Sequence, residues 1–150
     1  MKWLVRFVLP MMTSALLQSA PPSVVGQYKI GRDFEDMTPQ PIGLSTKQER
    51  MLIGQVIVIK STSITACGKS FHLNSIEEET YAADSFLQRY GVRPDQIGLK
   101  APVTELSFSF PPSTAICGNS EGFVLLTDGH HAAFEDGNEY FRLSRTEAGR

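Results

Sequence analysis

The strongest constraint on the fold lies in the last third of the chain. Residues 103–110 (VTELSFSF) alternate strictly, with Leu106, Phe108 and Phe110 on one side and Glu105, Ser107 and Ser109 on the other. Alternation with period two is the mark of a strand that buries one face and leaves the other wet. Three short apolar segments follow at 123–126, 131–134 and 140–143, separated by Asp128-Gly129 and Asp136-Gly137. Asp-Gly between apolar runs is a hairpin signal, because both residues tolerate the left-handed backbone that a tight turn needs. The C-terminal part is therefore read as an antiparallel β-meander.

Upstream, residues 24–30 (VVGQYKI) alternate well enough for a first strand, and 33–44, with two prolines and a glycine, read as a surface loop. Ser45 with Gln48 and Thr46 with Glu49 form overlapping capping boxes, which predict a short helical turn before Leu52. Residues 55–60 (QVIVIK) are β-branched and apolar on both faces, which predicts a central strand covered on both sides. One long helix is expected over 76–90. Asn74 or Ser75 would cap it, Glu77-Glu78-Glu79 would occupy its first turn, and Ile76, Ala83, Phe86, Leu87 and Tyr90 would form its buried face. Gly91 is a suitable left-handed stop. The fold class that follows is α+β: a mostly antiparallel sheet, able to curl into a small barrel, with one packed helix and a C-terminal meander.

The N-terminus addresses location. Lys2 and Arg6 precede an apolar stretch at 7–17, too short for the roughly 20 residues a membrane span requires but suited to a secretory signal. Residues 1–20 are read as a signal peptide, cleaved between Ala15 and Ala20, and 21–150 as one globular domain. The expected location is periplasmic or extracellular, without stable membrane insertion once the signal is removed. No cysteine follows the apolar stretch, so lipid attachment there is excluded. Removal of Lys2 and Arg6 leaves 12 basic residues against 16 acidic, a net charge of −4. That balance argues against nucleic acid, which selects for basic surfaces.

The chain has only two cysteines, Cys67 and Cys117, each preceded by apolar residues and followed by glycine. In an exported protein this pattern predicts one intramolecular disulfide. Closing a loop of about 50 residues would stabilise the fold by about 4 kcal/mol in the chain-entropy picture. The competing role for Cys67, a catalytic thiol with His72, His130 or His131 as base, lacks any supporting spacing.

No catalytic template fits. Gly68-Lys69-Ser70 imitates the end of a phosphate-binding loop, but the required earlier glycine is Ser63. The one place where a carboxylate and bases cluster is Asp128, His130 and His131, and adjacent strand residues point to opposite faces. These histidines are read as hairpin residues. No catalytic, cofactor-binding or metal-ligating residue is assigned, and no cofactor is expected. The reading is an exported, non-enzymatic binding protein, such as an inhibitor or immunity protein for a secreted enzyme, with 33–44, 111–122 and 128–131 as contact loops. The alternatives are a small-ligand-binding β-barrel and, behind it, a hydrolase or metal-site protein using Asp128, His130 and His131. Gly26-Gln27-Tyr28 is similar to the Gly-x-Trp opening of lipocalin-type barrels, with tyrosine in place of tryptophan and no second motif of that family; no family is assigned.

Overall fold

The computed structural model describes residues 20, 23–34, 46–109, 122–136 and 139–146. Most of the signal segment, most of loop 33–44, Phe110, loop 111–121 with Cys117, and Gly137 lie outside these residues. Among the described residues nine strands form one antiparallel sheet: β1 (Gly26–Asp33), β2 (Val56–Ile59), β3 (Ser63–Ala66), β4 (Lys69–His72), β5 (Ser75–Tyr81), β6 (Val103–Ser109), β7 (Gly122–Thr127), β8 (Ala132–Asp136) and β9 (Glu139–Thr146). Their order is β4-β3-β2-β1-β9-β8-β7-β6-β5. Every neighbour is antiparallel, so following the alternation from either side of β1 gives β4 and β5 the same direction. Only Leu73 and Asn74 separate these two strands, although they end opposite edges of the sheet. They are one bent strand that pairs first with β3 and then with β6. The Leu73 amide donates to Thr62 and the Asn74 amide to Ser109, tying the bend to both edges. The sheet therefore curls into an incompletely closed up-and-down barrel, as an antiparallel α+β reading allows.

The concave face holds the larger core. Tyr28 and Ile30 of β1, Ile57 and Ile59 of β2, Ile64 of β3, Phe108 of β6, Phe123 of β7, Phe134 of β8 and Phe141 of β9 are all buried there. Phe123 and Phe134 stack at 4.8 Å between centroids, and Phe134 continues to Phe141 at 5.9 Å. The predicted inward set of the strand at 103–110 is correct for Leu106 and Phe108. A second core lies on the convex face, where helix α2 (Ala83–Tyr90) and a 3-10 turn (Pro94–Ile97) cover Val103, Leu126, Ala133 and Tyr140. Phe86 is fully buried in that seam, 4.6 Å from the Tyr90 ring.

Several expectations change. The helix begins at Ala83, not at 76: residues 75–81 are β5, and all seven pair with β6. Helix propensity favours glutamate by only a few tenths of a kcal/mol per residue. Pairing Ile76 with Phe108 and Tyr81 with Val103 buries both side chains against the sheet and outweighs that preference. The acidic run Glu77-Glu78-Glu79 thus lies on a strand ending the sheet order, where charge discourages further strand pairing. Leu87, expected on the buried face, is 42% exposed. The strand at 56–59 is not covered on both sides: Ile57 and Ile59 are buried, but Val56 is 38% exposed, because the helical cover lies over the other half of the sheet. The short helix α1 (Thr46–Leu52) forms where the capping boxes place it, and Gly54 follows at φ 87°.

The β3–β4 hairpin has no counterpart in the sequence reading. Cys67 (φ 49°) and Gly68 (φ 72°) are both left-handed between the paired residues Ala66 and Lys69, as a two-residue hairpin turn requires. Phe86→Asp is expected to lower stability by about 3 kcal/mol or more, by placing a charge in the α2 seam. A denaturant melt equal to the parent's would show that α2 does not hold the convex face.

Candidate functional site

Two clusters combine charge with burial. The first is the β7–β8 turn. Its Asp128 side chain is 3% exposed, and its two oxygens accept four hydrogen bonds. Oδ1 takes the backbone amides of His130 at 2.8 Å and His131 at 2.7 Å; Oδ2 takes the Lys100 amide at 2.9 Å and faces His131 Nδ1 at 3.2 Å. Thr127 closes the same turn: its hydroxyl donates to the His131 carbonyl at 2.8 Å and accepts the Gly129 amide at 3.0 Å. Burial by itself would raise the Asp128 pKa; the amides of His131, His130 and Lys100 and the His131 ring outweigh it and hold the carboxyl well below the usual range. Such a carboxylate is a turn anchor that also ties β7–β8 to the segment after the 3-10 turn.

Both histidine side chains of this turn are exposed, and they flank two adjoining clefts. One, of about 60 Å³, opens at the barrel mouth between Tyr28, Thr127 and Arg145. The other, of about 400 Å³, lies on the outer side among Phe34, Gly98, Arg142 and Ser144. Arg142 sits 5.1 Å over the Phe34 ring, and Arg145 sits 6.0 Å over Tyr28 while donating to the Val25 carbonyl at 2.8 Å. Sequence reasoning missed both arginines. Nothing in their spacing marks them, because the β1–β9 ladder brings them to the site.

The second cluster is built on Glu105. It was expected to face solvent with Ser107 and is instead 7% exposed, since α2 packs over that face. Tyr90 donates to its Oε2 at 2.6 Å, Ser107 to its Oε1 at 2.8 Å, and Arg89 approaches Oε1 at 3.8 Å. Burial raises the Glu105 pKa, but hydrogen bonds from Tyr90, Ser107 and Tyr81, with the Arg89 charge, leave it net lowered. Burial, and then the bond to Glu105, push the Tyr90 phenol far above its ordinary value. Tyr81, raised by burial and by its 2.6 Å bond to Glu79, completes the group. The Tyr90 hydrogen bond and the Arg89 approach to Glu105 tie α2 to the sheet.

The remaining candidates are dispersed. The strand directions put the Cys67 turn at one end of the barrel and His130 and His131 at the other. His72 lies exposed on β4 opposite Ser63, five residues along an extended strand from Cys67, or roughly 16 Å. Lys69 and Ser70 open a strand, not the helix that a phosphate-binding loop would need. Among the described residues no cysteine is free, and no group of three or more His, Cys, Asp or Glu side chains is placed to hold a metal ion. No helix among them is long and apolar enough to cross a membrane. In comparisons with known proteins the chain matches no family model, no curated protein and no solved structure.

Two outcomes are expected. Asp128→Ala leaves three backbone amides without their acceptor and should destabilise the fold by about 1–3 kcal/mol. Because the folded-state carboxyl is depressed, the stability it contributes is present above the unfolded value of about 3.9 and is lost as pH falls through the folded one. Melting curves from pH 6 down to pH 2 should thus show a smaller acid dependence in Asp128→Ala than in the parent. Tyr90→Phe should cost about 1.5–3 kcal/mol, the usual worth of a hydrogen bond to a charged group, measured by urea unfolding.

Proposed function

We propose that this chain is an exported, non-enzymatic binding protein of the cell envelope or exterior that engages a protein partner, as an inhibitor or immunity protein of a secreted enzyme does. The observation that carries the reading is the state of Asp128: the one acid beside the histidines has both oxygens committed to the β7–β8 turn. A carboxylate held in this way can orient an imidazole but supplies no nucleophile, and among the described residues no cysteine is free and no metal-ligating group stands by His131 to be activated. The filled concave core favours contact through the surface over capture of a ligand inside the barrel. Phe108, Phe123, Leu125 and Phe141 there are at most 2% exposed, and the mouth cleft of about 60 Å³ has room for little more than water.

In the same reading residues 1–20 direct export, and Cys67 pairs with Cys117 in the oxidising compartment. The strand directions support that pairing: the Cys67 turn and the facing ends of β6 and β7, between which Cys117 lies, belong to the same end of the barrel. The strand ends that lead into the three contact loops are not all at one end of the barrel. The ends of β1 and β6 that lead into 33–44 and 111–122 lie at the Cys67 end, and 128–131 at the other. A single partner is therefore met by one end only.

Mass spectrometry of the exported fraction, digested without reduction, should give the Cys67 and Cys117 peptides linked; two free thiols would refute the bridge. Affinity capture with the mature, bridged domain should recover a protein partner at a fixed ratio. Retention of a small lipid or metabolite through purification, with no protein partner, would favour the barrel-cavity alternative.

A further inference from the structure

At the end of the barrel opposite the Cys67 turn, the sheet is notched. Pairing of β8 with β9 stops at Ala132 and Leu143, while β9 remains paired with β1 as far as Thr146. Beyond Leu143, β9 thus has a strand on one side and the His130–His131 turn across a gap on the other. The two clefts described above lie on either side of this gap, and both are lined by His130, His131 and Arg145. The outer cleft adds Arg142 and Ser144, and Lys29 of β1 stands directly opposite Ser144. Among the described residues no Asp or Glu lines either cleft, although the whole chain has more acidic than basic residues. Asp128, two residues before His130, is turned into its own loop and saturated. Among the described residues neither Arg142 nor Arg145 has a carboxylate partner; the ion pairs there involve Arg89, Arg93 and His131.

We propose that this notch binds a carboxylate presented by an acidic peptide segment. Arginine is suited to the task because its planar fork matches the two oxygens of a carboxylate, and stacking on Phe34 and Tyr28 fixes both guanidinium groups before binding. Gathering Arg142 and Arg145 with no carboxylate counter-ion among the described residues favours an external anion electrostatically. The outer cleft, about 400 Å³ with Phe34 and Ile97 in its wall, is roomy enough for an acidic side chain together with its stem. The proposal deepens the binding-protein reading by naming what part of a partner is recognised, yet it is tested without knowledge of that partner.

The test is a titration of the isotope-labelled full chain, followed by amide NMR, with three probes: N-acetyl-Asp-Glu-Asp-amide, N-acetyl-Lys-Lys-Lys-amide and inorganic phosphate. The acidic peptide should shift the amide signals of Gly98, His131 and Ser144 with saturation, and the basic peptide should not. Arg142→Gln should weaken that binding roughly tenfold or more at an unchanged melting temperature, and Arg93→Gln should leave it as in the parent. Should Arg142→Gln fail to fold, Ser144→Asp, which places a fixed carboxylate among the cations, should abolish the binding. Shifts that never saturate, equal shifts with the basic peptide, or undiminished affinity in Arg142→Gln or Ser144→Asp would overturn the proposal. So would phosphate binding more tightly than the acidic peptide at the same signals, which assigns the notch to inorganic anions. Failure to capture a protein partner leaves this titration unaffected, so the two readings fail separately.

Discussion

The ladder between β1 and β9 joins what would otherwise be two meanders, β1 to β4 and β5 to β9, each held by pairings between neighbours in sequence. It pairs Gln27 with Thr146 and Tyr28 with Arg145, 119 residues apart for the Thr146 hydroxyl bonded to the Gln27 carbonyl. Contacts so distant form only after loop-closure entropy has been met, so the seam is the costly step of this topology. It is reinforced accordingly. Arg145 reaches across to the Val25 carbonyl and stacks over Tyr28, whose hydroxyl donates to the Val24 carbonyl at 2.9 Å. Once the seam is made, the bend at Leu73–Asn74 brings the far edges together, and the concave aromatic core has walls on every side but the gap.

Two buried carboxylates hold what the seam leaves loose. Glu105 pins α2 to the convex face, and Asp128 pins the β7–β8 turn to the segment at Lys100. Each is an acid taken out of water and kept ionised by donors, an arrangement stable only while all the donors stay in place. Both therefore act as structural fasteners, and both make the fold sensitive to acid.

Function on such a scaffold falls to side chains that the fold leaves uncommitted. At the notch these are, among the described residues, the Arg142 and Arg145 guanidinium groups, which have no carboxylate partner there and stand over the Phe34 and Tyr28 rings. An anionic contact there is compatible with a chain that is acidic overall, because the local field differs in sign from the global charge.

Local pattern determined much of this protein. Alternation in 103–109, Asp-Gly at 128–129, the capping boxes before α1 and Gly91 after α2 each specify their element from backbone and side-chain chemistry alone, and the structure agrees with all of them. Tertiary structure decided the rest, wherever two local preferences were close in energy or a side chain's surroundings came from distant residues. The acidic run at 77–79 carries a helix signature, and only pairing with β6 made it a strand. Alternation puts Glu105 on the polar side, and only α2, packed over that side, buried it. Arg142 reads as an ordinary position of a last strand at 140–143 and Arg145 lies beyond it; the register of β1 against β9, fixed by contacts more than a hundred residues apart, gathered them with His130 and His131 at the notch. Period and capping are properties of a few consecutive residues, whereas burial and charge environment belong to the assembled sheet.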